Sequence, residues 1–165
     1  MKKQTLILGL ISLCGLGIGS CSKYTTQVSK SSAYTNYETV CLSAGHNGMQ
    51  TLRVWGRGAT EGAAIEQAMK NALYDVIFKG TSGSGECHQR ALVTEVNARE
   101  RYNEYFTLFF ADGGEYQKFV HEEKGRKASR LQAKGGSLMG YGIVVTVNRE
   151  ALRQQLINDG VLSAH

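Results

Sequence analysis

The chain has 165 residues, of which 20% are charged, with 20 glycines, no proline and a formal net charge of +5. That length is one ordinary domain with enough chain to bury a core. So mild an excess of positive charge gives no argument for a nucleic-acid partner.

The chain opens on Met1-Lys2-Lys3, a positive segment, followed by an apolar run over residues 5–18. The run has about the 7–15 residues of a secretory signal core and falls short of the roughly 20 needed to span a bilayer. Gly15, Gly17 and Gly19 would weaken a permanent helix there. The run ends in Ile18-Gly19-Ser20-Cys21, an aliphatic residue and two small ones directly before a cysteine. This resembles the lipobox of bacterial lipoproteins. The alternative is an ordinary secretory signal with Cys21 incidental. The resemblance implies that residues 1–20 are a signal peptide that is removed. It also implies that Cys21 carries a diacylglyceryl group and anchors the protein in a lipid bilayer. Ser22 follows, with no acidic run behind it, which by the same resemblance implies the outer membrane, facing the periplasm. Residues 21–36 are rich in Ser, Thr, Lys, Gln, Asn and Tyr, the composition of a solvated, lipidated tether. Without Lys2 and Lys3 the remaining chain is about +3. Beyond Cys21 it holds only Cys41 and Cys87, two thiols in a compartment that permits disulfides.

A single α+β domain is expected over residues 37–165. Residues 38–44 alternate, with Val40, Leu42 and Ala44 assigned to the inner face and Thr39, Cys41 and Ser43 to the outer. Residues 49–55 read as a second strand with Leu52 and Val54 inward. The Asn47-Gly48 between them is a hairpin signal, and His46 is a turn residue there. Gly56-Arg57-Gly58 then turns the chain into a helix over about residues 61–79, with Thr60 as N-cap, Glu61 in its first turn and Gly80 just past its end. Ile65, Met69, Leu73, Val76 and Ile77 form its apolar stripe, and Ala64, Ala68 and Ala72 repeat every fourth residue. A strand, a glycine turn and a helix suggest a dinucleotide site. Here the glycine spacing is wrong for the fingerprint, and Asp75 lies inside the helix instead of at a strand end.

Residues 80–87 form a glycine- and serine-rich loop that lacks Gly-Lys-Ser/Thr and follows a helix, so it is not a P-loop. Neither Ser82 nor Ser84 has the glycines of a nucleophile elbow. Cys87-His88 are adjacent, an arrangement that rarely meets in catalytic geometry. Cys41 and Cys87 are instead the candidate disulfide pair. Sequence does not fix whether their Cα atoms reach the separation of about 4.4–6.8 Å that a bridge needs.

Residues 91–96 read as a weak strand or a loop and residues 98–111 as one further helix, ended by Asp112-Gly113-Gly114. Half of the chain's Tyr, Phe and Trp residues fall within residues 102–119. Five aromatics in three turns exceed one buried face. Tyr102, Phe106 and Phe109 are assigned to the core, and Tyr105, Phe110 and Tyr116 are the candidate partner surface. Residues 116–122 and 128–134 read as short strands around a basic cluster of Lys124, Arg126, Lys127 and Arg130, taken as a solvated hairpin, with contact to anionic lipid headgroups as the alternative. His121-Glu122-Glu123 lacks the second histidine of a zinc protease motif. Residues 139–147 alternate as the best strand, and Asn148 caps a last helix over residues 149–159.

The expected fold is therefore α+β: a small antiparallel sheet of about four to five strands, with two main helices and a C-terminal helix on one face. Leu52-x-Val54-x-Gly56-x-Gly58 leading into an alanine-rich helix resembles the opening of small outer-membrane lipoproteins. The N-terminal domain of flagellar assembly protein T and the curli-secretion lipoprotein open similarly. The ending, from Tyr141 to Asn148 before Leu152 and Leu156, resembles their closing strand and helix. The resemblance implies a non-enzymatic lipoprotein that scaffolds or docks an envelope assembly of the secretion or motility type, with other envelope proteins as partners. No catalytic, cofactor-binding or metal-binding residue is assigned, because the histidines lack ligand spacing and no carboxylate pair is placed. A small envelope hydrolase acting on cell-wall or surface material is the second reading. Capture of an apolar ligand between helix and sheet is the third.

Overall fold

The computed structural model describes residues 39–45, 47–123, 129–132 and 139–163. The expected signal peptide (1–20), the acylated Cys21, the tether (21–36), His46 and the basic residues Lys124, Arg126 and Lys127 lie outside them.

Strands β1 (Val40–Ala44) and β2 (Met49–Gly58) form the expected antiparallel hairpin, turned at Gly48 with a φ of 75°. The faces of β1 differ from the alternation read in the sequence. The register slips between Cys41 and Ser43, so Leu42 is an extra residue on its strand. Cys41, opposite Leu52, therefore faces the core, while Leu42 is 40% exposed. A bulge of one residue is enough to exchange the two faces.

On β2 the buried positions alternate as Gln50, Leu52, Val54, Gly56 and Gly58. Helix α1 (Glu61–Phe78) crosses this face, capped by the Thr60 hydroxyl, which accepts from the Ala63 N–H at 3.2 Å. Its fully buried stripe is Ala64, Ala68, Ala72, Leu73, Val76 and Ile77, while Ile65 and Met69 flank the core half-buried. The alanines matter because of what they meet. A Cβ placed on Gly56 would stand 2.0 Å from the Ala64 carbonyl oxygen and 2.3 Å from the Ala68 nitrogen. The two glycines of Gly56-x-Gly58 thus let the helix backbone rest directly on the strand. Glycine is required there for close packing, and the phosphate-binding role of such spacing does not enter.

Helix α1 ends as its sequence signals, with Gly80 at a φ of 83° donating to the Asp75 carbonyl at 2.7 Å. The carbonyls of Val76 and Ile77 accept from Leu92 and Val93 at 3.1 and 2.8 Å. Of the strand and the loop expected, residues 91–96 are consequently the loop, since these N–H groups serve the end of the helix. Between them the chain forms a loop closed by a bridge between Thr81 and Gln89, and Ser82 bridges Val40 of β1. Cys87 is disulfide-bonded to Cys41 with Cα atoms 5.5 Å apart. The loop thus covers the edge strand, and the bond spans 46 residues, worth about 4 kcal/mol on the chain-entropy account.

The helix expected over residues 98–111 is two. Helix α2 (Ala98–Arg101) stops at Tyr102, whose ψ of 28° leaves helical geometry, and α3 (Asn103–Phe109) starts afresh. Residues 115–118 then make a 3-10 turn, so the strand expected from residue 116 is β3 (Val120–Glu122) alone. Strand β4 (Ser129–Gln132) does not pair with β3. Both pair with β5 (Met139–Asn148), β3 along its residues 145–147 and β4 along 139–142. Because β2 occupies the whole opposite edge of β5, the two short strands lie end to end along the remaining one. Helix α4 (Arg149–Asn158) closes the fold, capped by the Asn148 side chain at 3.0 Å from the Ala151 N–H.

The architecture is α+β: a five-stranded antiparallel sheet in the order β1-β2-β5-β3, with β4 beside β5. Leu52, Val54, Ile143, Val145 and Val147 of the sheet share one core with α1, Phe106 and Phe109 of α3, and Leu152 and Leu156 of α4. The helices therefore lie on one face. Among the described residues no helix is long and apolar enough to cross a membrane.

Candidate functional site

The aromatic residues crowded into residues 102–119 are the strongest site signal in the sequence, and the structure shows where their excess goes. They stack on one another. From Tyr74 and Phe78 on α1, ring contacts run through Phe106, Tyr105, Phe109 and Phe110 to Tyr116 and Phe119, with centroids 4.8–6.4 Å apart. Offset and edge-to-face pairs of this kind add about 0.5–1.5 kcal/mol each beyond burial. The break at Tyr102 lets α3 turn Phe106 and Phe109 into the core together.

Of the three residues assigned to a partner surface, Tyr116 is corrected: it is fully buried. Its hydroxyl donates to Glu66 Oε1 at 2.8 Å, and the Lys70 ammonium stands 5.3 Å from its ring centroid. A buried tyrosine needs a partner for its hydroxyl, and a carboxylate on the neighbouring helix provides it. Burial pushes the phenol above its ordinary value, with Glu66 adding to the rise against the hydrogen bond donated by Gln117. Burial acts to lower the Lys70 ammonium, but the Asp112 and Glu66 carboxylates outweigh it and hold it above its usual range. Asp112 is held low by the same Lys70 contact, at 2.6 Å.

Tyr105 and Phe110 are half-buried. Tyr105 donates to Asp159 Oδ2 at 2.7 Å, tying α3 to the end of α4. Burial, and then this hydrogen bond, drive its phenol far above the ordinary tyrosine value. Phe110 keeps one side on a groove between α1 and the α2–α3 pair, lined with Tyr74, Phe78, Arg99, Asn103 and Phe106. Across it the Arg99 guanidinium lies over the rings of Tyr74 and Phe78, 5.3 and 6.0 Å from their centroids. Among the described residues Arg99 has no carboxylate partner. Leu108 and Val96, on the same segment, are 72% and 82% exposed.

Tyr74, Phe78 and Arg99 were not singled out in the sequence. Their signal is there: two aromatics at i and i+4 lie off the alanine stripe of α1. Of the other assigned residues, Cys21 lies outside the described residues. Cys41 and Cys87 are joined, so Cys87 has no thiol to offer His88. Among the described residues no group of three or more His, Cys, Asp or Glu is placed to hold a metal ion. No family model, no curated protein and no solved structure matches the chain.

Proposed function

We propose that the chain is an outer-membrane lipoprotein, anchored through acylated Cys21 with its domain in the periplasm. It acts without catalysis, as a docking component of an envelope assembly of the secretion or motility type. The run Ile18-Gly19-Ser20-Cys21 supports the anchor. Two or three acyl chains at about 0.8 kcal/mol per buried CH₂ hold far better than one reversible chain. The likeness of the strand–glycine–helix opening and of the closing strand and helix to envelope lipoproteins supports the class.

The observation that carries docking is Arg99, whose guanidinium is spread over two rings at the groove and has no carboxylate partner among the described residues. The occupant is a segment of an envelope protein that brings a carboxylate to Arg99 and an apolar side chain to Phe78, Phe106 and Phe110. Arginine and aromatic residues are the usual anchors of such contacts.

The test places a photocrosslinking residue at Thr107, which lines the groove, in the full-length protein in its membrane. A discrete adduct to one envelope protein, at an acidic and apolar segment, is expected. Arg99→Glu should abolish it with the unfolding temperature unchanged. An adduct indifferent to Arg99→Glu would place docking elsewhere. Cys21→Ala should release the protein from the membrane or leave it unprocessed, and normal acylation and retention in that variant would overturn the anchor.

A further inference from the structure

A second site lies away from the aromatic groove, where the β1–β2 turn, the 81–89 loop and the first turn of α4 meet. Its starting point is a polar residue on an apolar face. Gln50 occupies an inward position of β2, between Ala44 of β1 and Val147 of β5, and is 2% exposed. Its Nε2 donates to Thr81 Oγ1 at 3.3 Å. The Thr81 hydroxyl gives its one proton to the Cys87 carbonyl at 2.8 Å, so towards Gln50 it can only accept. That fixes the amide: NH₂ faces Thr81, and Oε1 faces the other way with no partner.

Arg149 supplies the complementary orphan. Its Nη2 donates to the Arg90 carbonyl at 2.6 Å, while its buried Nη1 has no partner. Both side chains line the same cavity, with Asn47, Gln89, Glu86 and Glu150 around them. The backbone builds this corner deliberately tight. The Arg149 N–H donates to the Gly48 carbonyl at 3.0 Å, and a Cβ on Gly48 would stand 2.7 Å from that of Glu150. An unpaired buried donor or acceptor costs about 1–3 kcal/mol. Here one of each belongs to a side chain that lines the same cavity.

We propose that this cavity binds an amide group, its N–H donating to Gln50 Oε1 and its carbonyl accepting from Arg149 Nη1. A planar amide supplies both missing partners at once. Glu86 and Glu150 beside the single guanidinium disfavour a free carboxylate, so the ligand is neutral. Both orphan atoms are closed to solvent, so entry of the ligand requires the Arg149 side chain to move aside and return. The amide belongs either to a peptide main chain or to a primary carboxamide.

The test is an NMR titration of the full mature domain, labelled with ¹⁵N. N-acetylglycine N-methylamide stands for the main chain, acetamide for the carboxamide and sodium acetate for the anion. Saturable shifts of the Gln50 Nε2–H and Arg149 Nε–H signals with either amide, and none with acetate, are expected, and which amide binds tighter identifies the source. Arg149→Met should weaken the binding at least about tenfold. Should that variant fail to fold, an intermolecular NOE from the amide probe to the wild-type Gln50 NH₂ serves in its place. Overturning results are non-saturating shifts, saturation by acetate, or wild-type signals in which the two side chains hold only water or each other.

Discussion

Along Ala64 and Ala68, helix α1 lays its backbone on Gly56 and Gly58 with no room for one more carbon. Along Tyr74 and Phe78 the same helix meets α3 through rings, with Phe78 and Phe106 centred 4.8 Å apart. The first contact is closed and built from the smallest side chains. The second is built from the largest and remains open on one side as a groove. One helix thus carries a structural face, which admits no variation in size, and a face that leaves a groove open, where docking is proposed. What separates them is the volume of the residues that sequence places at each contact, since interiors are packed to near-crystalline density.

The comparison breaks first at Tyr116, the residue moved from surface to core. Tyr116→Ala should cost about 4 kcal/mol, read by denaturant unfolding. A change near zero would return it to the surface. Next is Gly56→Ala, where the added methyl runs into helix backbone that has no rotamer to yield. A loss of about 3 kcal/mol is expected, at the upper end for overpacking. The same substitution at Gly62, where a Cβ meets nothing within 4 Å, should instead stabilise α1 by about 0.5–1 kcal/mol. If the two glycine variants shift the midpoint in the same direction, the contact at Gly56 is looser than the geometry requires.

The smallest effect sharpens the aromatic side. Tyr105→Phe removes the bond to Asp159 and should cost about 1 kcal/mol at neutral pH. Its pH dependence is more telling. A tyrosine in the unfolded chain ionises at about pH 10, whereas the folded Tyr105 keeps its proton well above that. Above about pH 10 the unfolded state therefore binds fewer protons, so stability is full below that pH and falls as pH rises. Tyr116 and Lys70, both raised, act in the same sense. Tyr105→Phe should lose less of its stability between pH 8 and 11 than wild type does, by thermal unfolding at both. Parallel losses would take Tyr105 out of the alkaline response.

The sequence made α1, β5 and α4 legible because each carries an unbroken period and the two helices carry their own caps, and the expected boundaries fall within a residue or two. It did not show the break at Tyr102, where neither glycine nor proline interrupts the helix. Nor did it show that β3 and β4 share one edge of β5, since alternation identifies a strand and not its neighbour. The inversion of Cys41 and Leu42 came from a bulge, which leaves no mark in a hydropathy pattern. At the candidate groove the aromatic excess was visible, but not its resolution by stacking, because counting residues per face treats rings as if they could not cover one another. Gln50 was readable in principle: it is the one polar side chain among the inward positions of β2, which continue through Leu52, Val54, Gly56 and Gly58.

The disulfide has a mechanical meaning. Cys41 is the second residue of the edge strand β1 and is bonded to Cys87. Tension arriving from the N-terminal side therefore meets a covalent bond almost at once. An edge strand pulled from its end would otherwise peel from its neighbour one hydrogen bond at a time. Here unzipping halts at Cys41, and the load passes to Cys87 and the loop around it. Were the protein hung by its N-terminus and docked beside α3, as proposed above, it would carry force through this staple before any strand of the sheet had to part.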